Sequence, residues 1–357
     1  MKKIIYSSIF FLVLTFIIFI GTLSTIGIET NKFNKLISNK ISQTQKIDLK
    51  LKTIKFKLDL KELSLFLETF RPNINYKNIF IPVQTVRVYT DFASLAKTDL
   101  KIKKINLKFK ELEINQLKEI SRLIKPSNFK SFLTNRIENG KIISDVDIFL
   151  NKEGKLSNYI ARGSISSFEV TLLSDLKISN MNFSFFADKD DILIKNIFGN
   201  ISNISISNGD IKINMDNGIK VNSNFNSELS LKENSVMLKK VLEKNKTINK
   251  IKILNGSFNN IISLDFDDTY KVKDYSYRLV GKIKKSNLNL KNTLKSSFLS
   301  EEIKELFFSD VTIDSNFSPK SNKVKGFGNY SLDNLNFLKF NLDNSFYNDL
   351  LNLKLDF

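Results

Sequence analysis

The sequence predicts a mainly β protein: an N-terminal transmembrane helix followed by an elongated, curved antiparallel β-sheet groove of repeating β-hairpin units, with a few short helices. Three observations support this fold class, namely a long uncharged N-terminal run, period-two alternation of apolar and polar residues, and an internal repeat marked by glycines. We predict a transmembrane anchor at 1–30, an anchor-proximal α+β module at 31–140, and a repetitive β-groove body with helical inserts at 141–357. Because the last residues continue a strand pattern, we expect this body to be truncated at its C-terminus.

The anchor is predicted from residues 4–28, which contain no charged side chain. At ~1.5 Å per residue, a helix of this length exceeds the ~30 Å hydrocarbon core of a bilayer. A cleaved signal peptide is the alternative, since Lys2 and Lys3 form a short basic segment before the apolar run. Lysines also follow the run, so the positive-inside rule discriminates weakly. We expect a single pass with the N-terminus in the cytoplasm and the body outside it.

The composition excludes several kinds of chemistry. The chain has no Cys, His or Trp, which removes thiolate nucleophiles, imidazole bases and nearly all zinc sites. The net charge of +18 comes from forty-nine Lys and only six Arg, a bias that A/T-rich codons explain. Weak attraction to anionic lipid headgroups stays open, but we predict no nucleic-acid partner, because specific readout uses Arg forks and aromatic stacking.

The coarse secondary structure follows from the spacing of apolar residues. Alternation begins at Ile47 and returns after each turn, which predicts strands. Pro126 separates two helices predicted within 115–139, the second ending at Gly140. Helical spacing or a capped turn is predicted in four further segments: 61–70, 91–95, 236–244 and 298–308.

An internal repeat aligns residues 158–172 with residues 276–290 without gaps. Gly163 matches Gly281, and a fainter copy contains Gly328. We interpret each copy as a strand containing a glycine, a turn and a second strand, so that repeated bends would curl the sheet into a trough. The alternative is that any two hairpins with one glycine resemble each other.

Two acidic clusters are the candidates for a metal site or an acid–base pair: Asp188, Asp190, Asp191 and Asp265, Asp267, Asp268. Aspartates at strand ends usually form turns, and neither cluster has the spacing of an EF-hand. We therefore predict no metal, no cofactor and no enzyme. An envelope enzyme that uses these aspartates is the minor alternative.

The remaining feature is a long apolar strand face with polar residues opposite. It is either the core of an ordinary β-sandwich or a groove that holds acyl chains. Burial is worth ~0.8 kcal/mol per CH₂, so exposing a chain of about sixteen carbons to water costs on the order of 12 kcal/mol. An apolar groove beside a membrane would remove most of that barrier.

The span, the segment INYKNIFIPVQTVRVYTDFASLAKTDLKIKKINLKFKELEI at 74–114 and the glycine-marked repeats together resemble the AsmA-like family (AsmA, TamB and YhdP). The similarity is greatest to the N-terminal part of a YhdP-like member, although family members are usually much longer. The resemblance implies a Gram-negative inner-membrane protein whose groove lies in the periplasm and conducts phospholipid toward the outer membrane. It implies no catalytic residues. The groove candidates are Ile105, Leu107, Phe109, Val170, Leu172, Ile283, Leu288 and Leu290.

Two hypotheses from different classes result. The first is a lipid-transport protein whose partners are phospholipid and the inner membrane, with outer-membrane or envelope proteins as candidate partners at its distal end. The second is a structural factor that assists the assembly of outer-membrane proteins through contacts at its sheet edges.

Overall fold

The computed structural model of the chain describes most of its residues. The described residues are 2–30, 34, 47–51, 53–62, 64–90, 102–123, 125–126, 128–173, 176–216, 218–233, 248–267, 271–295, 302–347 and 350–356. The predicted helical segments at 91–95 and 236–244 lie outside these residues.

The elements confirm a mainly β chain with one long N-terminal helix and few others. The helices are α1 Lys2–Thr25, α2 Ile114–Ser121 and α3 Asn128–Asn135. The first strands are β1 Ile28–Thr30, β2 Ile47–Lys50, β3 Ile54–Asp59, β4 Ser64–Phe70, β5 Asn73–Tyr76, β6 Ile79–Ile81, β7 Val83–Thr90, β8 Ile102–Phe109 and β9 Leu112–Glu113. The later strands are β10 Ile137–Leu150, β11 Leu156–Leu173, β12 Leu176–Ala187, β13 Asp191–Ile201, β14 Ile204–Asn214, β15 Ile219–Lys232, β16 Ile248–Phe266, β17 Val272–Leu294, β18 Ile303–Phe317, β19 Ser321–Ser331, β20 Leu338–Tyr347 and β21 Leu350–Asp356.

Helix α1 is long and apolar enough to cross a bilayer. Its segment Ile5–Thr25 has a mean hydropathy of 2.3. Most of its side chains are exposed, and Leu23 near the C-terminal end of the helix is buried. The hydroxyls of Thr15, Thr22 and Thr25 each donate a hydrogen bond to the carbonyl oxygen four residues earlier. These three hydroxyls are therefore satisfied within the helix, as hydrocarbon requires.

The chain divides into two compact units. The N-terminal unit comprises residues 1–134 and 141–163, and the C-terminal unit comprises residues 135–140 and 164–357. Strands β10 and β11 contribute residues to both. In the N-terminal unit, β3, β4, β7, β8 and β10 pair in that order, all antiparallel, while β2, β5 and β6 form a separate small sheet.

The predicted pair of helices around Pro126 is confirmed by α2 and α3. The side chain of Gln116 accepts a hydrogen bond from the Glu113 N–H at 3.1 Å, which satisfies a donor at the start of α2. Helix α3 ends at Asn135 rather than at Gly140, because β10 already begins at Ile137.

The helix predicted at 61–70 is wrong, because Ser64–Phe70 forms strand β4. Leu65 and Phe66 are both buried although adjacent strand residues point to opposite faces, and Glu68 and Thr69 repeat this pattern. A strand buried on both faces has no period-two alternation, so its apolar spacing resembled that of a helix. The helix predicted at 298–308 is also wrong from Ile303 onward, where β18 begins; residues 298–301 lie outside the described residues.

In the C-terminal unit, β12 to β21 form a meander in which each strand pairs antiparallel with the next one along the chain. Two adjacent rows of paired residues show that its two faces differ in character. One row of directly paired residues across β12–β18 reads Ile178, Ile201, Ile204, Leu229, Gly256, Ile283 and Val311. The adjacent row on the opposite face reads Ser179, Asn200, Ser205, Glu228, Ser257, Lys282 and Thr312. We call the side of the first row the apolar face.

The turn predicted within the repeat is wrong. Residues 158–172 lie in the single strand β11, and residues 276–290 lie in the single strand β17. Ser167 in the first copy has φ +50°, and the register of the second copy shifts near Ile283, as a β-bulge produces. The repeat therefore encodes a bulge within a long strand, which has the same local composition as a tight turn.

Candidate functional site

The predicted groove residues of the N-terminal unit share one face of β8. Ile105 lies opposite Val88 and Ile148, in a cross-strand row of apolar residues. Leu107 lies opposite Val86 and Val146 in the next row. Phe109 follows on the same side of the strand, and all three predicted side chains are half-buried. The alternation in the sequence was sufficient to identify this face.

The predicted residues in β17 reach a common face only because of a bulge. Ile283 pairs with Gly256 and Lys285 pairs with Asn255, so β17 has one extra residue at this point. Without that residue, the side chain of Ile283 would point to the opposite face of the sheet from the side chains of Leu288 and Leu290. With it, Leu288 lies between Ile251 and Leu306 on the apolar face, and it packs against the buried cluster of Leu231 and Ile251.

The residues predicted from the first repeat copy differ from those of the second. Val170 is only 1% exposed, so its side chain supports the sheet rather than lining its surface. The side chain of Leu172 lies outside the described residues. Among the repeat glycines, Gly163 lies in β11, Gly281 in β17 and Gly328 in β19.

Bulges recur in five strands of the C-terminal unit, each at a residue in the left-handed region. These residues are Ser167, Asn180, Asn196, Asn208 and Asp310, with φ between +50° and +56°. Each belongs to a four-residue pattern of apolar residue, any residue, small polar residue, and apolar residue or glycine: ISSF, ISNM, IKNI, ISNG and FSDV. Asn, Asp and Ser hydrogen-bond locally, and Asn and Asp tolerate this conformation best. The pattern is visible in the sequence, but small polar residues at these positions are typical of turns as well as of bulges.

Neighbouring strands satisfy the backbone groups that the bulges leave unpaired. The Ser167 N–H donates to Asn182 Oδ1 at 3.1 Å, and the Asn196 N–H donates to Asp210 Oδ1 at 3.3 Å. Lys282 forms an ion pair of 2.9 Å with Asp310. The polar face therefore stabilises the bends, consistent with the need of buried backbone groups for partners.

Glycines occur close to the bulges, where adjacent strands approach each other. A Cβ atom at Gly199 would lie 2.7 Å from Met181 Cα, and one at Gly328 would lie 2.6 Å from Val311 Cα. At Gly281 it would lie 2.2 Å from the Ser257 carbonyl oxygen. Such separations are too short for any side chain, so glycine is required where the strands approach this closely. These approaches allow Met181, Ile197 and Ile206 to form a buried cluster on the apolar face.

A polar cluster interrupts the apolar face, and no pattern in the sequence predicts it. Asn260 is 5% exposed; its amide nitrogen donates to Ser227 Oγ at 2.9 Å, and its amide oxygen accepts from the Tyr277 hydroxyl at 2.9 Å. Burial raises the pKa of the Tyr277 hydroxyl, which keeps it protonated as a donor. Because these three side chains satisfy one another, the cluster stabilises the sheet at low cost.

The aspartate clusters that are described form turns. Asp188 Oδ1 accepts hydrogen bonds from the N–H groups of Asp190 and Asp191, which lower the pKa of its carboxyl. Asp267 Oδ1 accepts from the Lys271 N–H at 3.1 Å. Among the residues that the structure describes, no group of three or more acidic side chains is arranged to hold a metal ion.

The N-terminal unit contains a buried ion cluster. The Glu68 carboxylate is 1% exposed and contacts Lys57 Nζ at 2.8 Å and Arg87 Nε at 2.7 Å. Burial opposes ionisation of Glu68, but the hydrogen bonds from Lys57 and Arg87 outweigh it and hold the pKa of the carboxyl below its usual range. Lys104 Nζ lies 4.1 Å from the ring centre of Tyr89 and forms an ion pair with Glu62. Every charge in this cluster has a partner, so its role is structural.

The fold and the face define a class: an antiparallel sheet with one apolar face, preceded by a helix long enough to span a membrane. Comparison of the chain with family models, curated proteins and solved structures finds no match. The functional argument therefore depends on the face itself.

Proposed function

We propose that the chain is a membrane-anchored protein whose apolar face binds phospholipid acyl chains and supports lipid movement through the cell envelope. Its partners under this proposal are phospholipid and the inner membrane, and the body lies in the periplasm. The observation that supports it most is the extent of the apolar face across β12–β18, with half-buried aliphatic and aromatic side chains.

The surroundings of this face favour a groove over a closed core. Residues 164–356, as far as they are described, contain no helix and no second sheet. Each strand there packs mainly against its two neighbours in the chain. A closed sandwich would need a second layer packed about 10 Å away to bury these side chains.

The dimensions suit an acyl chain. Seven strands at ~4.8 Å spacing give an apolar row of about 29 Å measured along the sheet. One leaflet of a bilayer contributes half of the ~30 Å hydrocarbon core, about 15 Å. The row is therefore long enough to hold a whole acyl chain, and each buried CH₂ would stabilise the bound state by ~0.8 kcal/mol.

A face-specific crosslink tests the proposal. Phe307 and Phe308 are adjacent in β18, and their partners in β19 are Ser331 and Tyr330. Phe308 lies on the apolar face, where its ring meets Phe340 at 5.7 Å, and Phe307 lies on the polar face. Benzoylphenylalanine replaces Phe308 in the full-length chain in bacterial membranes, and mass spectrometry identifies the adduct after illumination.

The expected result is a phospholipid adduct at position 308, with little or none when the same photoreactive residue replaces Phe307. Equal lipid adducts at both positions would indicate nonspecific contact and overturn the proposal. Polypeptide adducts at position 308 would favour the assembly-factor hypothesis instead.

A further inference from the structure

The loop between β19 and β20, residues 332–337, exposes apolar side chains at its tip. Leu332 is 39% exposed, Leu335 82% and Phe337 42%, and Leu338 at the start of β20 is 57% exposed. Loop tips are ordinarily formed by Gly, Pro, Asn, Asp and Ser. Four exposed large apolar residues within seven positions form a contiguous surface of the kind that marks an interaction site.

Hydrogen bonds to Asp333 fix the backbone of this loop. Asp333 Oδ1 accepts hydrogen bonds from the N–H groups of Leu335 and Asn336 at 2.8 and 2.9 Å. Its Oδ2 accepts from the Asn336 amide at 2.7 Å, and the buried Ser331 hydroxyl donates to Oδ1 at 2.8 Å. The backbone of the loop therefore loses little conformational entropy when its exposed apolar side chains bind.

The apolar surface of the loop continues into the apolar face. Leu338 pairs with Tyr330, and the rings of Tyr330 and Phe308 both contact Phe340. The exposed Lys339 follows Leu338 directly in β20. The chain carries a net charge of +18, which attracts anionic phospholipid surfaces.

We infer that this loop inserts into the outer part of a phospholipid monolayer and forms the point where acyl chains pass between that monolayer and the apolar face. The inference builds on the proposed function and adds a location for lipid entry or exit. A lipid surface is the occupant, because the exposed groups are aliphatic and aromatic, the exposed Lys339 adjoins them in the sequence, the chain is strongly cationic, and it carries a helix long enough to span a membrane.

The absence of Trp from the chain provides a clean probe. In the Leu335→Trp variant the new indole is the sole tryptophan, and the substituted side chain is too exposed for its loss to disturb the fold. The matched control is Lys320→Trp in the exposed turn between β18 and β19. This turn lies at one end of β19, and the loop with Leu335 lies at the other end. The full-length protein is reconstituted in vesicles of phosphatidylethanolamine and phosphatidylglycerol, with brominated lipid in either the host vesicles or added protein-free vesicles.

The expected result is a blue-shifted emission for Leu335→Trp that brominated lipid quenches in one of the two vesicle populations, with no quenching for Lys320→Trp. Absence of quenching in both populations, or equal quenching of both variants, would overturn the inference. The crosslink at position 308 is independent of this measurement. A lipid adduct there without quenching at position 335 would reject only the entry point, and the absence of both would reject the proposed function as well.

Discussion

Strand β4 of the N-terminal unit and strand β15 of the C-terminal unit show two ways of building an antiparallel sheet. In β4, Leu65, Phe66, Glu68 and Thr69 are all buried, so both faces of the strand are enclosed. In β15, exposed and half-buried residues alternate along most of the strand, and only Ser227 and Leu231 are buried. Enclosed polar residues must be paired, whereas a sheet with a wet face can leave its polar residues to water.

This difference separates the two units physically. The N-terminal unit uses buried ion pairs and tight packing, which favour stability. The C-terminal unit uses bulges and glycines to bend its strands and leaves many of its apolar side chains only half-covered. The second arrangement is the one that the proposed binding of an apolar ligand requires.

The largest effect on stability is expected at Gly281, where two strands of the C-terminal unit approach each other very closely. Gly281→Ala places a Cβ atom 2.2 Å from the Ser257 carbonyl oxygen, so the strands must separate. We expect a loss of about 3 kcal/mol in the free energy of unfolding, in the upper range for overpacking. Urea denaturation followed by circular dichroism measures it.

Gly326→Ala is the control for this prediction. Its Cβ atom would lie 3.7 Å from the Thr312 carbonyl oxygen, an ordinary contact, and its backbone is not in the left-handed region. We expect a change within about 0.5 kcal/mol, because a compatible Gly→Ala exchange restricts mainly the unfolded chain. Similar losses for both variants would show that close strand approach does not determine the fold.

The next largest effect is expected in the enclosed ion cluster of the N-terminal unit. Glu68→Gln removes the negative charge that forms ion pairs with both Lys57 and Arg87. Breaking a buried pair costs several kcal/mol, but Arg87 is 43% exposed and can be hydrated, so we expect about 2 kcal/mol. Asp314→Asn, which breaks the exposed pair with Arg278, should leave the denaturation midpoint unchanged. An equal loss of stability in both variants would show that buried and exposed ion pairs do not differ in their contribution to this fold.

Acid titration gives an independent measure of the same cluster. The pKa of Glu68 is lower in the folded chain than its ordinary value, so its pairing stabilises the fold at neutral pH. This contribution decreases once the pH falls below the unfolded value of about 4.3 and is lost as the pH passes through the lower folded value. The stability difference between wild type and Glu68→Gln should therefore shrink below about pH 4. A difference independent of pH would mean that packing, not charge, explains the variant.

The smallest effect is expected at the support of a single bulge. Asn182→Ala removes the acceptor of the Ser167 N–H and a donor to the Asn180 carbonyl oxygen. We expect a loss of about 1 kcal/mol, the usual net value of such a hydrogen bond. Asn222→Ala, at an exposed position of β15, should be neutral in the same assay. A neutral Asn182→Ala would show that water replaces the side chain at this bulge.

Several features were predictable because they are local. Alternation identified the apolar face of β8, and Pro126 located the break between α2 and α3. The helix predicted at 61–70 is wrong because both faces of β4 are buried, so its apolar residues do not alternate with polar ones. The turn predicted within the repeat is wrong because Ser, Asn and Asp in the left-handed region serve a bulge and a turn equally well.

The sequence by itself determined the apolar N-terminal helix, the mainly β architecture and the two-faced character of the C-terminal strands, since each depends on hydrophobic spacing along the chain. Only the tertiary structure decided which strand residues share a face across a bulge, why Gly281 and Gly328 must be glycine, and that Asn260 is satisfied by Ser227 and Tyr277. These features depend on contacts between strands, and cross-strand register is set by the pairing of distant segments.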